Sequence, residues 1–560
     1  MKRRNEELDR LRQGRTELEN HYIDELVAGH VSRRDFLRRG SMIGMSAPLL
    51  GAVLAACGSS SSSSTSSTTA APAKKGGTLR VASVAPAAAV NPLTVADAGG
   101  LCMLNQTGEF LIFDSNLKLA LQPMLALSWS PNSDASVWTF KLRPGVTFNN
   151  GAAMTADDVV YTFQQLADPK NASNALSTFM GVLTPAGVQK VDSMTVAFHL
   201  EAPNGNLPYL VSSDNYNAII VPNGTDFSKW QSTFVGTGAF KLSSYTQGVG
   251  ASFVANPSYW GTKALLDGTS FKFYTSQAPQ ILALEGNDVD VLAQFVPYGA
   301  TSLLNNPSYK IIKLESANHR ELSMRNDQAP FTDARVRQAV AYTIDRQGAV
   351  SALLDGYGSV ANDYPFGPRF PSTDTSVPQR TQNISMAKSL LAAAGHPNGF
   401  TTTMKTEIYE EVPQLAQVIK ADAAKAGINI NLDIEPQSAY YGKSTFGNSD
   451  WLDGTMSLVD YGDRGVPNVF LEAPLTSTGV WNAARFKNST YDSLVKQYVA
   501  ALDLQAQKAV AGKIQNLLLQ ETPVVYPYWI DGLTASTPNV GGLNPTSIAQ
   551  LYLNTAYKSA

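Results

Sequence analysis

The chain has 560 residues, with 43 lysines and arginines against 46 aspartates and glutamates and a net charge of −3. One hydrophobic core stops growing near about 250–300 residues, so this length predicts two or more domains. The near-neutral charge excludes the basic surface of a nucleic-acid-binding protein, and two distant cysteines exclude a disulfide framework or a thiolate metal site.

The N-terminus has the order of an export signal. A charged stretch over residues 1–39 precedes seventeen uncharged residues, GSMIGMSAPLLGAVLAA. That apolar core is short for a membrane span, which needs about 20 residues, and small residues follow it. Arg33 and Arg34 stand in SRRDFLR, which resembles the twin-arginine translocation motif. Residues 1–56 are therefore predicted to be a twin-arginine lipoprotein signal peptide.

A lipid anchor is predicted directly after this signal. The sequence LAAC, ending at Cys57, resembles a bacterial lipobox, which implies that the Cys57 thiol is lipidated and becomes the new N-terminus. An isolated arginine pair or an isolated LAAC is common; their order and spacing favour export. The serine-rich residues 57–76 are predicted to be a flexible tether. We expect a protein held on the outer face of the cytoplasmic membrane.

The body that follows reads as mixed α/β. Strands are predicted at residues 78–83 and 137–142, where apolar and polar residues alternate. Thr155 and Asp158 have the spacing of a helix capping box. Cys102 lies in an apolar stretch and is expected to be a small buried side chain.

The second half of the chain alternates helices and a strand. Helical periodicity predicts long helices at residues 333–354 and 490–519. Shorter helices are predicted at 385–394 and 413–426, closed by Gly395 and Gly427, and a strand at 428–434. This order implies parallel sheets with helical crossovers, which bind ligands at the carboxyl ends of their strands.

Five blocks of sequence, in order, resemble one known family. They are residues 125–169, 235–261, 283–291 (ALEGNDVDV), 330–345 (PFTDARVRQAVAYTID) and 387–395 (AKSLLAAAG). Together they are similar to the family 5 extracellular solute-binding proteins of ABC importers, the oligopeptide, dipeptide and nickel type. The resemblance covers nearly all of residues 77–535.

The resemblance implies an α/β fold of the periplasmic-binding-protein type, with two lobes that close on a ligand. Lobe I would comprise residues 77–316, with an extra subdomain inserted at about 110–235. Lobe II would comprise residues 317–525, and residues 526–560 would return to lobe I. The two crossing segments that form the hinge are expected near residues 314–322 and 524–530.

The resemblance also places a ligand-binding residue. In VDYGD, Asp460 matches the aspartate that pairs with the ligand's α-ammonium in peptide-binding members; the alternative is a loop aspartate that caps a turn. Two features depart from the family pattern. Arg464 replaces a common proline, and residues 451–459 contain no arginine for a peptide carboxylate. An amine-bearing or cationic solute, or a longer peptide held by backbone bonds, is therefore favoured over a dipeptide.

Aromatic and amide side chains complete the predicted site. Tyr461 and Trp481 offer aromatic faces to a cation or an apolar side chain, although most such residues are partly buried core. Asn482 stands where the family has an asparagine-bearing loop that faces the cleft. Residues 83–85, after the first strand, are a weaker candidate for contact from lobe I.

No catalytic residue, metal ligand or cofactor is predicted. The five histidines are scattered, and neither HExxH, GxSxG nor a P-loop is present. The SxxK spacing at residues 385–388 falls in an amphipathic helix without a KTG partner. We therefore expect a monomeric lipoprotein that binds a small solute or peptide and passes it to ABC permease subunits, without a nucleic-acid partner. The alternative is a surface receptor or chaperone on the same fold without a transport role.

Overall fold

The computed structural model describes residues 75–115 and 120–559. The predicted signal with Arg33 and Arg34, the lipidation site Cys57 and most of the tether lie outside the described residues. Within them, every helix is too short or too polar to cross a membrane.

The strands of the described part carry the architecture. They are β1 (Thr78–Val84), β2 (Ile112–Ser115), β3 (Ala120–Pro123), β4 (Ala126–Pro131), β5 (Val137–Leu142), β6 (Val188–Asp192), β7 (Thr195–His199), β8 (Phe240–Thr246), β9 (Gly250–Ala255), β10 (Gly268–Tyr274), β11 (Val291–Phe295), β12 (Lys310–Met324), β13 (Gly358–Val360), β14 (Phe400–Glu407), β15 (Ile428–Glu435), β16 (Met456–Tyr461), β17 (Val524–Val525), β18 (Tyr528–Ser536), β19 (Val540–Gly541), β20 (Asn544–Pro545), β21 (Leu551–Tyr552) and β22 (Tyr557–Lys558).

The helices of the described part cover the faces of the sheets. They are α1 (Ala98–Thr107), α2 (Ala156–Ala167), α3 (Leu176–Phe179), α4 (Leu207–Leu210), α5 (Gln277–Glu285), α6 (Thr301–Leu304), α7 (Ala334–Thr343), α8 (Arg346–Leu353), α9 (Ile384–Ala393), α10 (Val412–Ala424), α11 (Gln437–Tyr441), α12 (Asp450–Asp453), α13 (Asn468–Glu472), α14 (Ser489–Ala500) and α15 (Leu504–Glu521).

One large sheet contains two groups of parallel strands. Its order is β15-β14-β16-β12-β18-β11-β1-β10-β9-β8. β1 runs parallel to β10 and β11, and β14 runs parallel to β15 and β16. We call the half around β1 lobe I and the half around β14 lobe II. A separate sheet, β4-β5-β7-β6, falls inside the subdomain predicted at about residues 110–235.

Two long antiparallel strands join the lobes. The first part of β12 pairs with the second part of β18, from Lys310 opposite Ser536, and the register shifts between Leu314 and Asn318. Beyond that shift, β12 pairs with β16, with His319 opposite Tyr461. The crossing segments predicted near 314–322 and 524–530 overlap these strands. The domain boundaries drawn from the sequence stay predictions.

Each lobe has its own hydrophobic core. In lobe I, β1, β5 and α2 bury side chains such as Leu79 and Phe140 together with Leu551 from the C-terminal segment. In lobe II, one core packs around β12, β14 and α10, and a second is rich in aromatic residues. Separate cores agree with the prediction, made from the chain length, of two or more domains.

Most local predictions are confirmed. The strands at 78–83 and 137–142 are β1 and β5. Both hydrogen bonds of the capping box between Thr155 and Asp158 are present at the start of α2. Gly395 and Gly427 follow α9 and α10 with φ of 88° and 87°, the left-handed region that glycine adopts readily. Cys102 is 1% exposed in α1, and burial raises the pKa of its thiol to about 12.

Both predictions of a long helix are wrong. Residues 333–354 form α7 and α8, because Asp345 accepts a hydrogen bond from the Gly348 amide and starts a new helix. Residues 490–519 lie in α14 and α15, separated at Asp503, which accepts from the Ala506 amide. A short carboxylate side chain favours such a cap over a helix interior, although the apolar period continues through it.

Candidate functional site

A cavity of about 510 Å³ lies where the two lobes meet. Both lobes and the connecting strands contribute to its wall. Lobe I contributes Val84, Ala96, Asp97, Ala98, Leu101, Tyr216, Gln294, Val296, Ser547, Ile548 and Ala549. Lobe II and the connecting strands contribute Asn318, Arg320, Tyr409, Glu410, Asp460, Tyr461, Gly462, Asp463, Arg464 and Ile530.

The cavity lies at the carboxyl ends of both parallel groups. In lobe I, β1 ends at Val84 and β11 is followed directly by Val296. In lobe II, β16 ends at Tyr461, and Tyr409 and Glu410 come shortly after β14. Open α/β sheets bind ligands at this edge, because the loops that follow the strands surround a crevice there.

The wall contributed by lobe I is mainly apolar. Helix α1 begins at the end of β1, where a Cβ atom on Gly99 would lie only 2.2 Å from the Val84 carbonyl oxygen. Only glycine therefore allows this close approach. Asp97 caps the helix, and its Oδ1 accepts a hydrogen bond from the Gly100 amide at 2.8 Å. Its carboxylate thus stabilises α1.

A buried arginine organises the wall of lobe II. Arg320 on β12 stands opposite Asp460 on β16 and is 3% exposed. Its Nε donates to Glu411 Oε1 at 2.8 Å, and its Nη2 donates to Glu410 Oε2 at 2.7 Å and Glu411 Oε2 at 3.0 Å. Burial lowers the pKa of Arg320, but the two glutamates more than offset this and raise it overall. The guanidinium is therefore already occupied by protein carboxylates.

Asp460 is the last residue but one of β16, and a tyrosine hydroxyl holds its carboxylate in place. The Tyr441 hydroxyl donates to Asp460 Oδ1 at 2.6 Å and lies 3.0 Å from Glu407 Oε1. Burial and the charge of Asp460 raise the pKa of Glu407 to about 8. Because the Tyr441 hydroxyl has one proton to donate, this geometry suits a Glu407 carboxyl that keeps its own proton.

An aromatic layer supports the cavity beside Asp460. The Tyr461 ring stacks on His319, with ring centroids 5.3 Å apart, and also contacts Phe470. His319 Nδ1 is 2.8 Å from the Ala317 carbonyl oxygen and donates to it. Burial lowers the pKa of His319 to about 3, so its ring is neutral. This layer supplies packing and no charge.

The four predicted binding residues occupy different layers. Asp460 and Tyr461 line the cavity, whereas Trp481 and Asn482 are absent from its wall. Trp481 packs behind Tyr461 with ring centroids 6.1 Å apart. Asn482 is 3% exposed and uses its amide on the Thr476 and Phe486 backbone. A direct contact of these two side chains with a ligand finds no support in this geometry.

Several wall residues were not predicted from the sequence. Glu410 is the most unusual, because it has a φ of 43° although it is not glycine, a conformation that costs about 1–3 kcal/mol. Burial raises its pKa to about 7 despite the neighbouring Arg320. The sequence feature that could have indicated this wall residue is the pair of adjacent glutamates at positions 410 and 411, shortly after β14. Arg320 gave no local signal, since its role depends on distant partners.

Polar contacts across the cleft hold the lobes together. Arg369 bonds to the Asp463 carboxylate and the Ser547 hydroxyl, and its Nη2 lies 3.6 Å from Asp114 and 3.7 Å from Asp214. Burial raises the pKa of both of these aspartates. Elsewhere, the Gly205 amide donates to the Val499 carbonyl at 2.9 Å. The described conformation is therefore closed.

The site shows no grouping typical of a metal centre. Across residues 75–115 and 120–559, no three histidine, cysteine, aspartate or glutamate side chains come together as metal ligands. The wall instead presents separate charged groups, one of them Asp460, in a cavity of a size that takes a small organic ligand.

Comparison with protein families identifies one match. The family model described as bacterial extracellular solute-binding proteins, family 5 middle, matches residues 120–479. That range includes the crossing strand β12 and Asp460.

Individual proteins support the same grouping. The chain is 26% identical over 454 residues to heme-binding protein A of Haemophilus influenzae, covering 75% of this chain and 81% of that protein. It is 26% identical over 469 residues to the periplasmic murein peptide-binding protein MppA of Escherichia coli, covering 76% and 85%. The solved structure of the ABC transporter substrate-binding protein CtaP from Listeria monocytogenes has a TM-score of 0.76 at 20% identity, covering 87% and 100%. The predicted two-lobed fold is confirmed.

Proposed function

The chain belongs to family 5 of the bacterial extracellular solute-binding proteins, and from this premise we propose that it captures a peptide or an amine-bearing solute between its lobes and delivers it to the permease of an ABC importer. The observation that carries this proposal is the Asp460 carboxylate on the cavity wall. Relatives are named for binding heme and murein peptide, so the family relationship alone leaves the solute open.

The chemistry of Asp460 supports an ammonium ligand. Its carboxylate is held by the Tyr441 hydroxyl, and the nearest buried cation, Arg320, is occupied by two glutamates. A carboxylate without a strong cationic partner of its own attracts a ligand cation. Charge-assisted hydrogen bonds of this kind are roughly twice as strong as neutral ones.

The same proposal covers export and anchoring. Residues 1–56 would direct export through the twin-arginine pathway, and lipid on Cys57 would hold the protein at the outer face of the cytoplasmic membrane. The tether over residues 57–76 would let a monomeric body reach the permease. Relatives are named as binding proteins, and we propose no catalytic role.

Binding measurements on the purified full-length protein in detergent test the proposal. Peptides, amines and oligosaccharides would be screened by thermal shift, since a ligand at 100 times its Kd stabilises a protein by about 2.7 kcal/mol. For an amine-bearing ligand, Asp460→Asn should weaken binding by at least about tenfold, because a broken buried ion pair costs roughly 3–5 kcal/mol.

The matched control is Asp288→Asn, which removes an exposed carboxylate far along the chain from Asp460. It should leave the affinity unchanged. If no small solute moves the melting point, solute capture is wrong. If a ligand binds wild type and Asp460→Asn equally, the role of Asp460 is wrong.

A further inference from the structure

Three aspartates and one arginine meet where the two lobes touch. Asp114 and Asp214 come from chain segments that pack in the core of lobe I, and Arg369 and Asp463 come from segments of lobe II. Arg369 Nη1 donates to the Asp463 carboxylate. Its Nη2 lies 3.6 Å from Asp114 Oδ2 and 3.7 Å from Asp214 Oδ1. All four side chains are at most 9% exposed, and we call them the interlobe cluster.

The interlobe cluster contains more carboxylates than its arginine can balance. Asp463 takes the direct hydrogen bond from Arg369 and also accepts one from the Ser547 hydroxyl. In contrast, neither carboxylate oxygen of Asp114 has a hydrogen-bond partner in the described chain, and the same holds for Asp214 Oδ2. A buried carboxylate without donors is costly when it is ionised, so this arrangement favours a proton on Asp114 or Asp214.

The pKa values of the two lobe I aspartates agree with this imbalance. Burial raises the pKa of Asp214 well above its ordinary 3.8, the neighbouring Asp114 carboxylate raises it further, and Arg369 only partly opposes them. Burial also raises the pKa of Asp114. In the closed conformation this pair therefore keeps a proton above the pH at which an ordinary aspartate loses it.

The other titratable groups around the interlobe cluster keep their charge in this pH range. Burial raises the pKa of the Tyr209 hydroxyl to about 12, and it also raises the pKa of Tyr552, so both hydroxyls are neutral. Arg464 lies beside Asp214 and donates to the Asp463 carbonyl oxygen at 2.8 Å, but within the described chain it forms no ion pair with the cluster. The aspartates are therefore the groups of this region that titrate.

Opening of the lobes would change the surroundings of Asp114 and Asp214. Arg369 and Asp463 belong to the same lobe, so they would withdraw together as an ion pair and leave the other two carboxyl groups facing water. Closing brings the backbone of lobe II directly onto this pair, since a Cβ atom on Gly465 would lie only 1.7 Å from Asp214 Oδ2. Water stabilises ionised carboxylates and burial does not, so the pair binds a proton more tightly when the lobes are closed.

We propose that closure of the lobes is linked to a proton: closing takes up a proton on the Asp114–Asp214 pair, so that acid favours the closed conformation and a rising pH favours opening. This inference goes beyond the proposed function, because it concerns the closing motion and holds for any solute. The extra stability of the closed conformation is complete below the pKa of the open form and is lost as the pH rises through the pKa of the closed form. Within that window, one proton changes the ratio of closed to open molecules by up to about tenfold per pH unit.

The distance between two spin labels tests the proposal without any solute. The labels are attached at Ser244→Cys on β8 and Ser389→Cys on α9, which are exposed positions in different lobes. The full-length chain also carries Cys57→Ser, and Cys102 is 1% exposed, which protects it from the label. Pulsed electron–electron double resonance is recorded from about pH 4.5 to 8.5, and we expect the ratio of closed to open molecules to rise at least about tenfold towards acid pH.

Variants assign the proton to the pair. The double variant Asp114→Asn/Asp214→Asn is neutral at this position at every pH, so it should stay closed at alkaline pH and lose the pH dependence. Each single variant should lose most of the dependence, because one charge then remains opposite Arg369. The single variants also keep the test decisive if the double variant does not fold, which its melting point shows.

Two control variants remove carboxyl groups outside the interlobe cluster. Glu472→Gln removes a buried carboxyl group of lobe II whose pKa burial raises to about 7, and Asp288→Asn removes an exposed one. Both should follow the wild-type pH dependence. The first control shows whether any carboxyl group with a raised pKa has the same effect.

The possible outcomes separate this inference from solute capture. A wild-type distance distribution that is the same at every pH overturns proton-linked closure. A pH dependence that survives in the Asp114 and Asp214 variants, or that disappears in Glu472→Gln or Asp288→Asn, overturns the assignment to this pair. All of these results leave solute capture intact, since the binding screen at constant pH tests it separately.

Discussion

The two walls of the cavity differ in the kind of contact they offer. Lobe I presents mainly apolar side chains, such as Val84, Leu101 and Val296, and its carboxylate at Asp97 is used as a helix cap. The opposite wall, from lobe II and β12, presents Asp460, Arg464 and further charged groups. Shape thus comes from one side and charge recognition from the other.

The charged side chains of this second wall are held by partners that lie behind them. Behind Asp460 stand Tyr441 and Glu407, and behind Arg320 stands Glu411, which accepts a hydrogen bond from the Tyr528 hydroxyl at 2.9 Å. These buried partners orient the charged groups before a ligand arrives. Such pre-organisation lowers the ordering cost that binding would otherwise carry.

The largest expected effect comes from the buried arginine of the charged wall. Arg320→Met should lower the free energy of unfolding by about 3–5 kcal/mol, because it leaves the buried Glu411 and the partly buried Glu410 without their cation. Urea unfolding measures the loss. Arg335→Met, at an exposed ion pair, should leave the midpoint close to wild type. A loss below about 1 kcal/mol would contradict the support that we assign to Arg320.

A smaller effect concerns the proton on Glu407. Its folded pKa of about 8 lies above the ordinary 4.5, so the native state keeps a proton that the unfolded chain has lost in this window. Its contribution to stability is therefore full below about pH 4.5 and is lost as the pH rises through 8. Glu407→Gln should remove this part of the decline, on the order of a few kcal/mol between about pH 5 and 9.

Urea unfolding across that pH range measures the difference between Glu407→Gln and wild type. Glu201→Gln, at an exposed glutamate after β7, serves as the control and should follow the wild-type pH profile. An identical pH profile for Glu407→Gln and wild type would show that Glu407 is ionised in the folded protein.

The smallest effect tests the apolar wall. Asp97→Ala should cost about 1 kcal/mol of stability through the lost cap of α1. It should change the affinity for an ammonium ligand by less than about threefold, because the capped carboxylate is balanced by the helix N-terminus. Calorimetry beside Asp460→Asn checks this. An equally large loss in both variants would erase the difference between the walls.

Local sequence patterns predicted much of the fold. The capping box at Thr155 and the glycines after α9 and α10 were readable because their partners lie within a few residues. Each of the two long helices was wrongly predicted to be continuous, although Asp345 and Asp503 are themselves good caps. The apolar period continues across each break, and periodicity alone does not show which competing local interaction prevails.

The candidate site was predicted less completely. Asp460 was predicted because VDYGD resembles the ligand-binding motif of the family, and the structure places Asp460 on the cavity wall. Trp481 belongs to the same stretch of aromatic residues but packs one layer behind, against Tyr461. Side-chain depth depends on the packing of several elements, which proximity along the chain does not reveal.

The amino-acid sequence by itself determined the family, the α/β class and the carboxylate at the end of β16, since each depends on short runs of neighbouring residues. Only the tertiary structure decided which charges are free to meet a ligand. Arg320 and Glu411 are 91 positions apart and neutralise each other, whereas Arg464 has no such partner among the described residues. Arg320 and Arg464 both line the cavity, and the long-range contacts of the fold place a buried carboxylate against Arg320.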